Sequence, residues 1–514
     1  MKTKNTKVKK IRVRIAPSPT GPLHIGTARS ALFNYLFAQK SKGIFVLRVE
    51  DTDLERSDLK WTQDIIEGLK WLGIEWQEGP DIDGKYGPYK QSQRMDIYEK
   101  YLKKLLEEDK AYYCFCPEDE LEAMRQEQMA RGESPHYNGK CANLSKKESE
   151  KFLAERKSFV IRFKIKNKKV KFEDLIRGKV EFNTGLFGDI VIAKNLKAPF
   201  LYNFTVVVDD YEMQISHVIR GEDHISNTPK QILLQEALDF YRPAYAHLPL
   251  ILAPDRTKLS KRHGAFSIAE YKEQGYLPEA LINFMVHLGW NSGTEKEIFV
   301  LSSLIKEFSL ERVQKSGAIF NIKKLDFINS FYIREKTAEK LTELCLSYLI
   351  SARLIKERSG VYEILETKEE VLLATLQKII KAYRLRLKKL SEIAELTSFF
   401  FKGKLDYEKE LLRWQQMSDL DIRDSLLASE KSLSQINPSV EEWNLDNLEE
   451  KLIKKAIDFS LVKDYPQKDR GYLLWPLRVA LSGKPASASP FEIAEILGRE
   501  KTIKRIKEAI KLLG

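Results

Sequence analysis

The stretch from Ile11 to Asp53 constrains the fold more than any other part of the chain. Residues 11–16 alternate apolar and charged side chains, which predicts a strand, and a turn rich in Pro and Gly follows. Apolar residues at helical spacing then run from Ala28 to Gln39, and a second short strand runs from Ile44 to Val49. The order strand, turn, helix, strand is typical of a parallel α/β sheet.

The turn in this stretch has the composition of a phosphate site. It reads Pro-Ser-Pro-Thr-Gly-Pro-Leu-His-Ile-Gly-Thr over residues 17–27. A helix that begins here points backbone N–H groups and its positive dipole end at whatever lies above the turn, and we expect these groups to be free for phosphate. His24 can donate to phosphate oxygens, while Gly26 lets a nucleotide approach the backbone closely. The pattern favours a nucleotide site over an ordinary Pro/Gly turn.

A second short motif, Lys-Leu-Ser-Lys-Arg at residues 258–262, lies far along the chain. Lys258 and Lys261 could both reach a triphosphate, and Ser260 adds a hydroxyl group. Such a loop could neutralise charge on the α-phosphate and pyrophosphate as they separate. Taken alone it would be a solvated basic turn. Together with the first turn it resembles the HIGH and KMSKS motifs of class I aminoacyl-tRNA synthetases, with Leu259 and Thr27 as small departures.

The rest of the chain divides by pattern. Residues 112–200 contain a cysteine cluster, a Lys/Glu-rich helical stretch and strand-like runs, which we interpret as an insertion that splits the α/β domain. We expect the sheet to resume near Leu201, with Thr205 to Val208 buried. Helical patterns dominate after the second motif, and from about residue 336 they are almost continuous.

Charge and cysteine content narrow the class of protein. The formal net charge of +12 suits a polyanionic partner such as nucleic acid, although a lysine-rich surface would give the same number. No apolar run approaches the length of a membrane-spanning helix. Four cysteines are too few for a disulfide scaffold and indicate a reducing cytoplasm. No GxGxxG pattern supports a dinucleotide cofactor.

Several longer segments resemble the bacterial-type glutamyl-tRNA synthetase family, over residues 11 to 514. The segments are Arg-Ile-Ala-Pro-Ser-Pro-Thr-Gly at 14–21, Val-Glu-Asp-Thr-Asp at 49–53, Val-Ile-Arg-Gly-Glu-Asp-His at 218–224, Asn-Thr-Pro at 227–229, Gly-Tyr-Leu-Pro-Glu-Ala-Leu at 275–281, Leu-Gly-Trp at 288–290 and Pro-Leu-Arg-Val-Ala at 476–480. The resemblance implies a class I synthetase fold: a Rossmann-like α/β catalytic domain split by an α+β insertion, then an all-α C-terminal anticodon-binding region.

The same resemblance implies a division into domains. It gives a basic tail at 1–10, a catalytic domain at 11–111 and 201–257, an acceptor-end-binding insertion with a zinc site at 112–200, a KMSKS loop and helical stem-contact domain at 258–335, and an anticodon-binding region of two helical subdomains at 336–514.

It also implies the site residues and the reaction. The catalytic set is His24, Thr27, Lys258 and Lys261. The ATP set is Pro17, His24, Gly26, Asp223, Ile251, Lys258, Ser260, Lys261 and Arg262. The glutamate set is Arg14, Ala16, Ser18, Glu50, Tyr202 and Arg220. Two cationic forks and one anion suit the two carboxylates and one ammonium of glutamate. The expected reaction is ATP- and Mg²⁺-dependent charging of tRNA(Glu) with L-glutamate through a glutamyl-adenylate, by a cytoplasmic monomer.

The cysteine cluster predicts a metal site. Cys114, Cys116 and Cys141 could converge on one structural Zn²⁺, which prefers four tetrahedral ligands. By resemblance to zinc-binding members of the family, Tyr137 is the favoured fourth ligand and His136 a substitute. Three buried thiols without metal are the alternative, and Cys345 is expected to be a core residue.

One residue of the C-terminal region is assigned to the anticodon. Arg386 resembles the arginine with which discriminating family members recognise the third anticodon base, although Arg384 could take that role or both could be solvated charges. Three other functions are alternatives for this sequence. They are a truncated paralogue that glutamylates a modified tRNA base, a glutaminyl-tRNA synthetase, and a non-catalytic tRNA-binding homologue. The long helical region disfavours the truncated paralogue, and the first motif disfavours a glutaminyl-tRNA synthetase. The intact His24 and lysines disfavour a non-catalytic homologue.

Overall fold

A computed structural model describes residues 10–53, 55–257, 259, 266–358, 360–439, 441–463, 465 and 469–514. The chain forms two compact units. One contains the chain up to Lys272 together with Pro278–Ile328, and the other contains Glu273–Leu277 and Asn329–Gly514. None of the helices in the described ranges combines the length and apolar content needed to span a membrane.

The strands of the described chain are β1 (Arg12–Ile15), β2 (Ile44–Leu47), β3 (Ala111–Cys114), β4 (Val160–Phe163), β5 (Lys169–Asp174), β6 (Gly178–Asn183), β7 (Ile190–Ala193), β8 (His217–Gly221), β9 (Ala244–Leu248), β10 (Ile251–Leu252), β11 (Ala318–Ile319), β12 (Ile355–Arg358), β13 (Val361–Ile364) and β14 (Glu370–Val371).

The helices of the described chain are α1 (Ile25–Lys40), α2 (Leu59–Trp71), α3 (Met95–Glu107), α4 (Glu118–Ala130), α5 (Lys146–Ala154), α6 (Tyr202–Glu212), α7 (Thr228–Leu238), α8 (Ile268–Glu273), α9 (Pro278–His287), α10 (Leu301–Glu307), α11 (Ile322–Arg334), α12 (Ala338–Ser351), α13 (Leu373–Tyr383), α14 (Glu392–Thr397), α15 (Asp419–Ser434), α16 (Leu445–Val462), α17 (Gly471–Ser482) and α18 (Pro490–Lys511, with non-helical backbone at Gly498).

The first unit is built on a parallel sheet, as the opening stretch predicts. β1 pairs in parallel with β2, Arg12 opposite Ile44, and β8 pairs in parallel with β9. The backbone N–H of Ser216, just before β8, donates to the carbonyl of Arg12 at 2.9 Å, which brings β8 alongside β1. All four residues of β1 are buried, as expected for a strand covered on both faces. The carboxyl ends of these strands therefore meet at one edge, where ligands bind in open α/β sheets.

The expectation of sheet near Leu201 is wrong. Residues 202–212 form helix α6, and the sheet resumes only at β8. A run of β-branched residues at 205–208 suits a buried strand, but it also suits a helix whose surface is almost wholly covered. In α6 the covered surface includes Phe204, Asp209 and Asp210.

The insertion contributes to two sheets. β3, β4 and β7 form an antiparallel sheet of its own. The hairpin β5–β6 instead joins the catalytic sheet, because Asp174 pairs in parallel with Tyr245 of β9 and the N–H of Leu175 donates to the Tyr245 carbonyl at 2.8 Å. The insertion is thus physically continuous with the sheet that carries the cleft.

The second unit is helical, as expected, with one addition. β12, β13 and β14 form a small antiparallel sheet between α12 and α13. Its tight turn is supported by Gly360 at φ +82°, a left-handed conformation that glycine adopts without strain. Cys345 is fully buried on α12, so the expectation of a core cysteine is confirmed.

Candidate active site and metal centre

A cleft of 1640 Å³ opens in the first unit at the carboxyl ends of the parallel strands. Every described residue of the predicted catalytic, ATP and glutamate sets lines it: Arg14, Ala16, Pro17, Ser18, His24, Gly26, Thr27, Glu50, Tyr202, Arg220, Asp223 and Ile251. Lys258, Ser260, Lys261 and Arg262 lie outside the described residues. Leu259, between them, lines the same cleft.

His24 begins helix α1 and caps it with its own ring. Its Nδ1 accepts from the backbone N–H groups of Gly26 at 3.1 Å and Thr27 at 3.3 Å. Because Nδ1 is an acceptor, the proton of the neutral ring is on Nε2, which lies 2.9 Å from Thr27 Oγ1. The prediction of free N–H groups is therefore wrong for Gly26 and Thr27. His24 Nε2 and the Thr27 hydroxyl form a hydrogen-bonded pair, and both residues line the cleft.

The chain after the second motif is tied to the first motif. Ser267 forms an antiparallel bridge with His24, and the N–H of Ile268 donates to the carbonyl of Leu23 at 2.8 Å. Phe266 and Ser267 also line the cleft. Leu259 and the chain that follows the second motif therefore meet the first motif at one cavity.

Arg14 enters the cleft from β1 with a buried carboxylate behind it. Its Nε donates to Asp210 Oδ1 at 3.0 Å and its Nη2 to Asp210 Oδ2 at 3.3 Å. Arg48 donates to the same Asp210 Oδ1 at 2.8 Å and to Glu50 Oε1 at 2.9 Å. Within the described residues, Arg14 Nη1 has no acceptor and Glu50 Oε2 has no donor. A cationic edge and a carboxylate oxygen thus remain available to a ligand.

Burial dominates the electrostatics of Glu50. Desolvation raises its pKa, while the guanidinium of Arg48 works in the opposite direction. For Asp210, burial is likewise the largest influence, but the charges of Arg14 and Arg48 outweigh it and lower the pKa. Asp210 is thus ionised at neutral pH, and it fixes the plane of the Arg14 guanidinium.

Arg220, at the end of β8, is held by neutral groups. It donates to His247 Nε2 at 3.2 Å, to the Tyr202 hydroxyl at 3.3 Å, and to Thr228 Oγ1 and Gln231 Oε1 at 2.8 Å each. Among the described residues no carboxylate oxygen lies within 4.0 Å of it. A buried guanidinium with only neutral partners is a strong site for an incoming carboxylate.

His224 also faces this region and remains uncharged. Its Nδ1 lies 3.0 Å from the Tyr202 hydroxyl. Burial, assisted by the positive charge of Arg220, lowers its pKa to about 4. The ring is therefore a neutral hydrogen-bonding group at neutral pH.

Sequence reasoning did not identify the residues that support the two arginines. They are Arg48, Asp209, Asp210, Thr228, Gln231, His247 and Asp174. Thr228 lies in the quoted Asn-Thr-Pro segment, and Asp209-Asp210 is an acidic pair within an apolar run, so those two signals were available. The partners of His247 depend on strand register and had no local signal.

The three cysteines of the insertion converge. Their Sγ atoms lie within 4.8 Å of one another, with Cys116 and Cys141 at 3.5 Å. Cys114 ends β3, and Cys141 lies in a short 3-10 turn that follows Gly139 at φ +79°. This turn returns the chain towards β3.

The Tyr137 hydroxyl completes the cluster. It lies 3.4 Å from the Sγ atoms of Cys114 and of Cys116, and it accepts from the backbone N–H of Cys141 at 2.9 Å. His136 is half-buried and its Nδ1 lies 2.9 Å from the Ser134 carbonyl, outside the cluster. Burial opposes ionisation of Cys114, but hydrogen bonds from Tyr137 and Arg162 outweigh it and lower its pKa.

Arg386 lies in the second unit, beyond the end of α13. Its side chain is exposed, donates to the Ala382 carbonyl at 2.8 Å and lies 5.6 Å from the Tyr383 ring centre. Arg384 is less accessible, with a buried Nε. Of the two arginines considered, Arg386 is the one presented to solvent.

The comparisons with known proteins agree with this architecture. Residues 10–327 match the family model for the catalytic domain of class I tRNA synthetases (E and Q), and residues 340–510 match an anticodon binding domain. The chain therefore belongs to the class I tRNA synthetases of the E and Q group. This confirms the predicted fold class and the resemblance noted in the sequence.

Individual relatives are similar over nearly their whole length. A glutamate–tRNA ligase of Carboxydothermus hydrogenoformans is 46% identical, covering 96% of this chain and 99% of that protein. Glutamate–tRNA ligase 1 of Caldicellulosiruptor saccharolyticus is also 46% identical, covering 97% and 98%. A crystal structure of a glutamate tRNA ligase from Elizabethkingia meningosepticum, in complex with its amino acid, superposes with a TM-score of 0.84 at 33% identity, covering 98% and 100%.

Proposed function

We propose that the protein attaches L-glutamate to tRNA(Glu) in an ATP-dependent reaction. The observation that carries this proposal is the cleft with two arginines and a glutamate. Arg14 Nη1, Arg220 and Glu50 Oε2 offer two cationic positions and one anionic position. L-Glutamate has two carboxylates and one ammonium group, so it complements all three.

The reaction proceeds in two steps. An oxygen of the glutamate α-carboxylate attacks the α-phosphorus of ATP, the bond to the bridging oxygen breaks, and pyrophosphate leaves. The terminal 2′-hydroxyl of tRNA then attacks the carbonyl carbon of glutamyl-adenylate, and AMP leaves. The carboxylate is already a nucleophile, so the first step needs positioning and charge stabilisation rather than a protein base.

The first motif acts on the phosphates in this proposal. His24 and Thr27 line the cleft at the start of α1, where the helix dipole favours negative charge. Lys258 and Lys261 of the second motif neutralise the charge that develops on the leaving pyrophosphate. Mg²⁺ would arrive with the triphosphate of ATP and supply further charge neutralisation there.

The cysteine cluster fits a structural zinc ion. Tetrahedral Zn²⁺ with bonds of about 2.3 Å to sulfur sets sulfur–sulfur separations of roughly 3.8 Å. Cys116 Sγ and Cys141 Sγ are 3.5 Å apart, and the Tyr137 hydroxyl is 3.4 Å from the sulfurs of Cys114 and Cys116. These separations are close to those expected around a bound zinc ion. We assign Cys114, Cys116, Cys141 and Tyr137 as its ligands, with the role of holding the insertion.

The second unit is assigned to tRNA selection. Exposed Arg386, beside the Tyr383 ring, can hydrogen-bond the edge of an unstacked base, which is how single-stranded RNA is recognised. The domain boundaries, monomeric state and cytoplasmic location given in the sequence analysis remain part of this proposal.

The test is a charging assay with the purified full-length protein, radiolabelled L-glutamate, ATP, Mg²⁺ and bacterial tRNA. We expect acid-precipitable label that depends on ATP and tRNA, with AMP and pyrophosphate as products. The proposal would be contradicted if the protein charged none of the tRNA preparations. Pyrophosphate exchange with and without tRNA tests the further expectation that adenylate formation requires tRNA.

A further inference from the structure

A buried histidine and aspartate lie directly behind Arg220. Both side chains are completely buried. His247 Nε2 lies 3.2 Å from Arg220 Nε, and an arginine N–H can only donate, so Nε2 is the acceptor. The proton of the neutral ring is therefore on Nδ1, which lies 2.6 Å from Asp174 Oδ2.

Asp174 is fixed in the orientation that this tautomer requires. Its carboxylate accepts from the backbone N–H groups of Ile176 at 2.9 Å, Arg177 at 2.8 Å and His247 at 3.1 Å. Burial raises the pKa of Asp174, but the hydrogen bond from the His247 ring and those from the Arg177 and Ile176 backbone outweigh burial and lower the pKa, so Asp174 is an anion at neutral pH. Burial and the charge of Arg220 lower the pKa of His247, which keeps the ring neutral even though Asp174 acts in the opposite direction.

The alternative tautomer would place Nε2–H against Arg220 Nε–H, two donors facing each other in a buried site. A carboxylate in place of the ring would instead neutralise the guanidinium. The histidine thus orients Arg220 without compensating its charge. Arg14 differs, because the Asp210 carboxylate contacts it directly and compensates part of its charge.

We propose that His247, with Asp174 behind it, is a positioning residue that keeps Arg220 oriented and uncompensated for a carboxylate of the amino acid substrate. Asp174 ends β5, so the device belongs to the insertion and reaches the cleft through the β5–β9 pairing. Arg177 of the same turn forms an ion pair with Glu222, next to cleft residue Asp223. The insertion thereby supports the substrate pocket at two points.

The experiment compares two neutral amide variants in the full-length protein. In His247→Gln the amide oxygen can occupy the place of Nε2 and accept from Arg220. In His247→Asn the shorter side chain can donate to Asp174 from the place of Nδ1 but cannot reach Arg220. We expect His247→Asn to raise the KM for glutamate about tenfold or more, and His247→Gln to stay within about threefold of wild type.

The other kinetic constants distinguish a positioning role of His247 from a non-specific loss of structure or activity. For His247→Asn, kcat at saturating glutamate and the KM for ATP should stay within about threefold of wild type. Asp174→Asn should raise the KM for glutamate in the same selective way, and it provides the test if His247→Asn does not fold. Glu78→Gln is the control, since Glu78 is also a buried carboxylate, paired with Arg12 outside the cleft.

Three results would overturn the inference: a KM for glutamate within twofold of wild type in His247→Asn, equal increases in the Asn and Gln variants, or the same increase in Glu78→Gln. The inference rests on the proposed function, because the readout is charging with glutamate. The two can fail separately. Lack of charging by the wild-type protein defeats the proposed function, whereas the pattern among variants defeats only the positioning role.

Discussion

Asp210→Asn tests the buried charge network that supports Arg14. The substitution keeps the size of the side chain but removes the carboxylate that Arg14 and Arg48 share at 3.0 and 2.8 Å. Arg48 keeps Glu50 as a second partner, whereas Arg14, with a side chain only 4% exposed, loses its one ion pair among the described residues. Leaving a buried charge without its partner costs about 3–5 kcal/mol. We expect a loss of that size in the free energy of unfolding.

A surface carboxylate provides the control. Glu236 pairs with Lys168 and Arg242, but its side chain is 43% exposed, so Glu236→Gln should cost no more than about 1 kcal/mol. Unfolding in urea, followed by tryptophan fluorescence, measures both variants. For a slope of about 3 kcal/mol per molar, the midpoint of Asp210→Asn should fall by roughly 1 M or more. Equal midpoints for the two variants would refute the network argument.

The pH dependence follows from the lowered pKa of Asp210. A carboxyl group with a depressed folded-state pKa contributes stability that is complete above its unfolded-state pKa, near 3.8, and is lost as the pH falls through the folded-state value. The stability difference between wild type and Asp210→Asn should therefore be constant from about pH 7 to about pH 5, and it should shrink below about pH 4.

Three further predictions concern the other assignments. Lys261→Ala should lose about 3–4 kcal/mol of transition-state stabilisation, so kcat in steady-state charging should fall while the KM for glutamate changes little. Near-normal turnover would contradict the role of Lys261. Purified protein should contain about one Zn²⁺ per chain by elemental analysis, lost in Cys116→Ser and retained in Cys345→Ser; retention in both would end the assignment. Arg386→Gln should narrow the preference for glutamate over glutamine tRNA about tenfold, with Arg384→Gln as comparison; an unchanged ratio excludes Arg386 as the discriminating contact.

The sequence predicted the parts of the fold that depend on local patterns. β1, α1 and β2 lie where alternation, the Pro/Gly turn and helical spacing indicated, because those signals are short-range. Helix α6 was missed for a physical reason: four β-branched residues in a row fit a buried strand as well as a buried helix.

In the candidate site, too, local motifs predicted some features and missed those that depend on the tertiary structure. Family motifs predicted which residues would line the cleft, and the described ones do line it together. The capping of α1 by His24 was not predicted, since it depends on the rotation of one ring. The support of Arg220 by Asp174 and His247 joins residues 73 positions apart and is determined by the pairing of β5 with β9, which no local pattern encodes.

The central claim is that Arg14 and Arg220 each receive one carboxylate of the substrate. The most direct measurement is the ratio of kcat/KM for L-glutamate and L-glutamine in charging, with the same enzyme and tRNA. Glutamine replaces one carboxylate with a neutral amide and leaves one of the two guanidinium groups without an anion. Replacing a partner of a buried charged group costs about 1.5–3 kcal/mol per contact, so we expect glutamate to be preferred by at least about tenfold to a hundredfold. Comparable values for the two amino acids would contradict the claim.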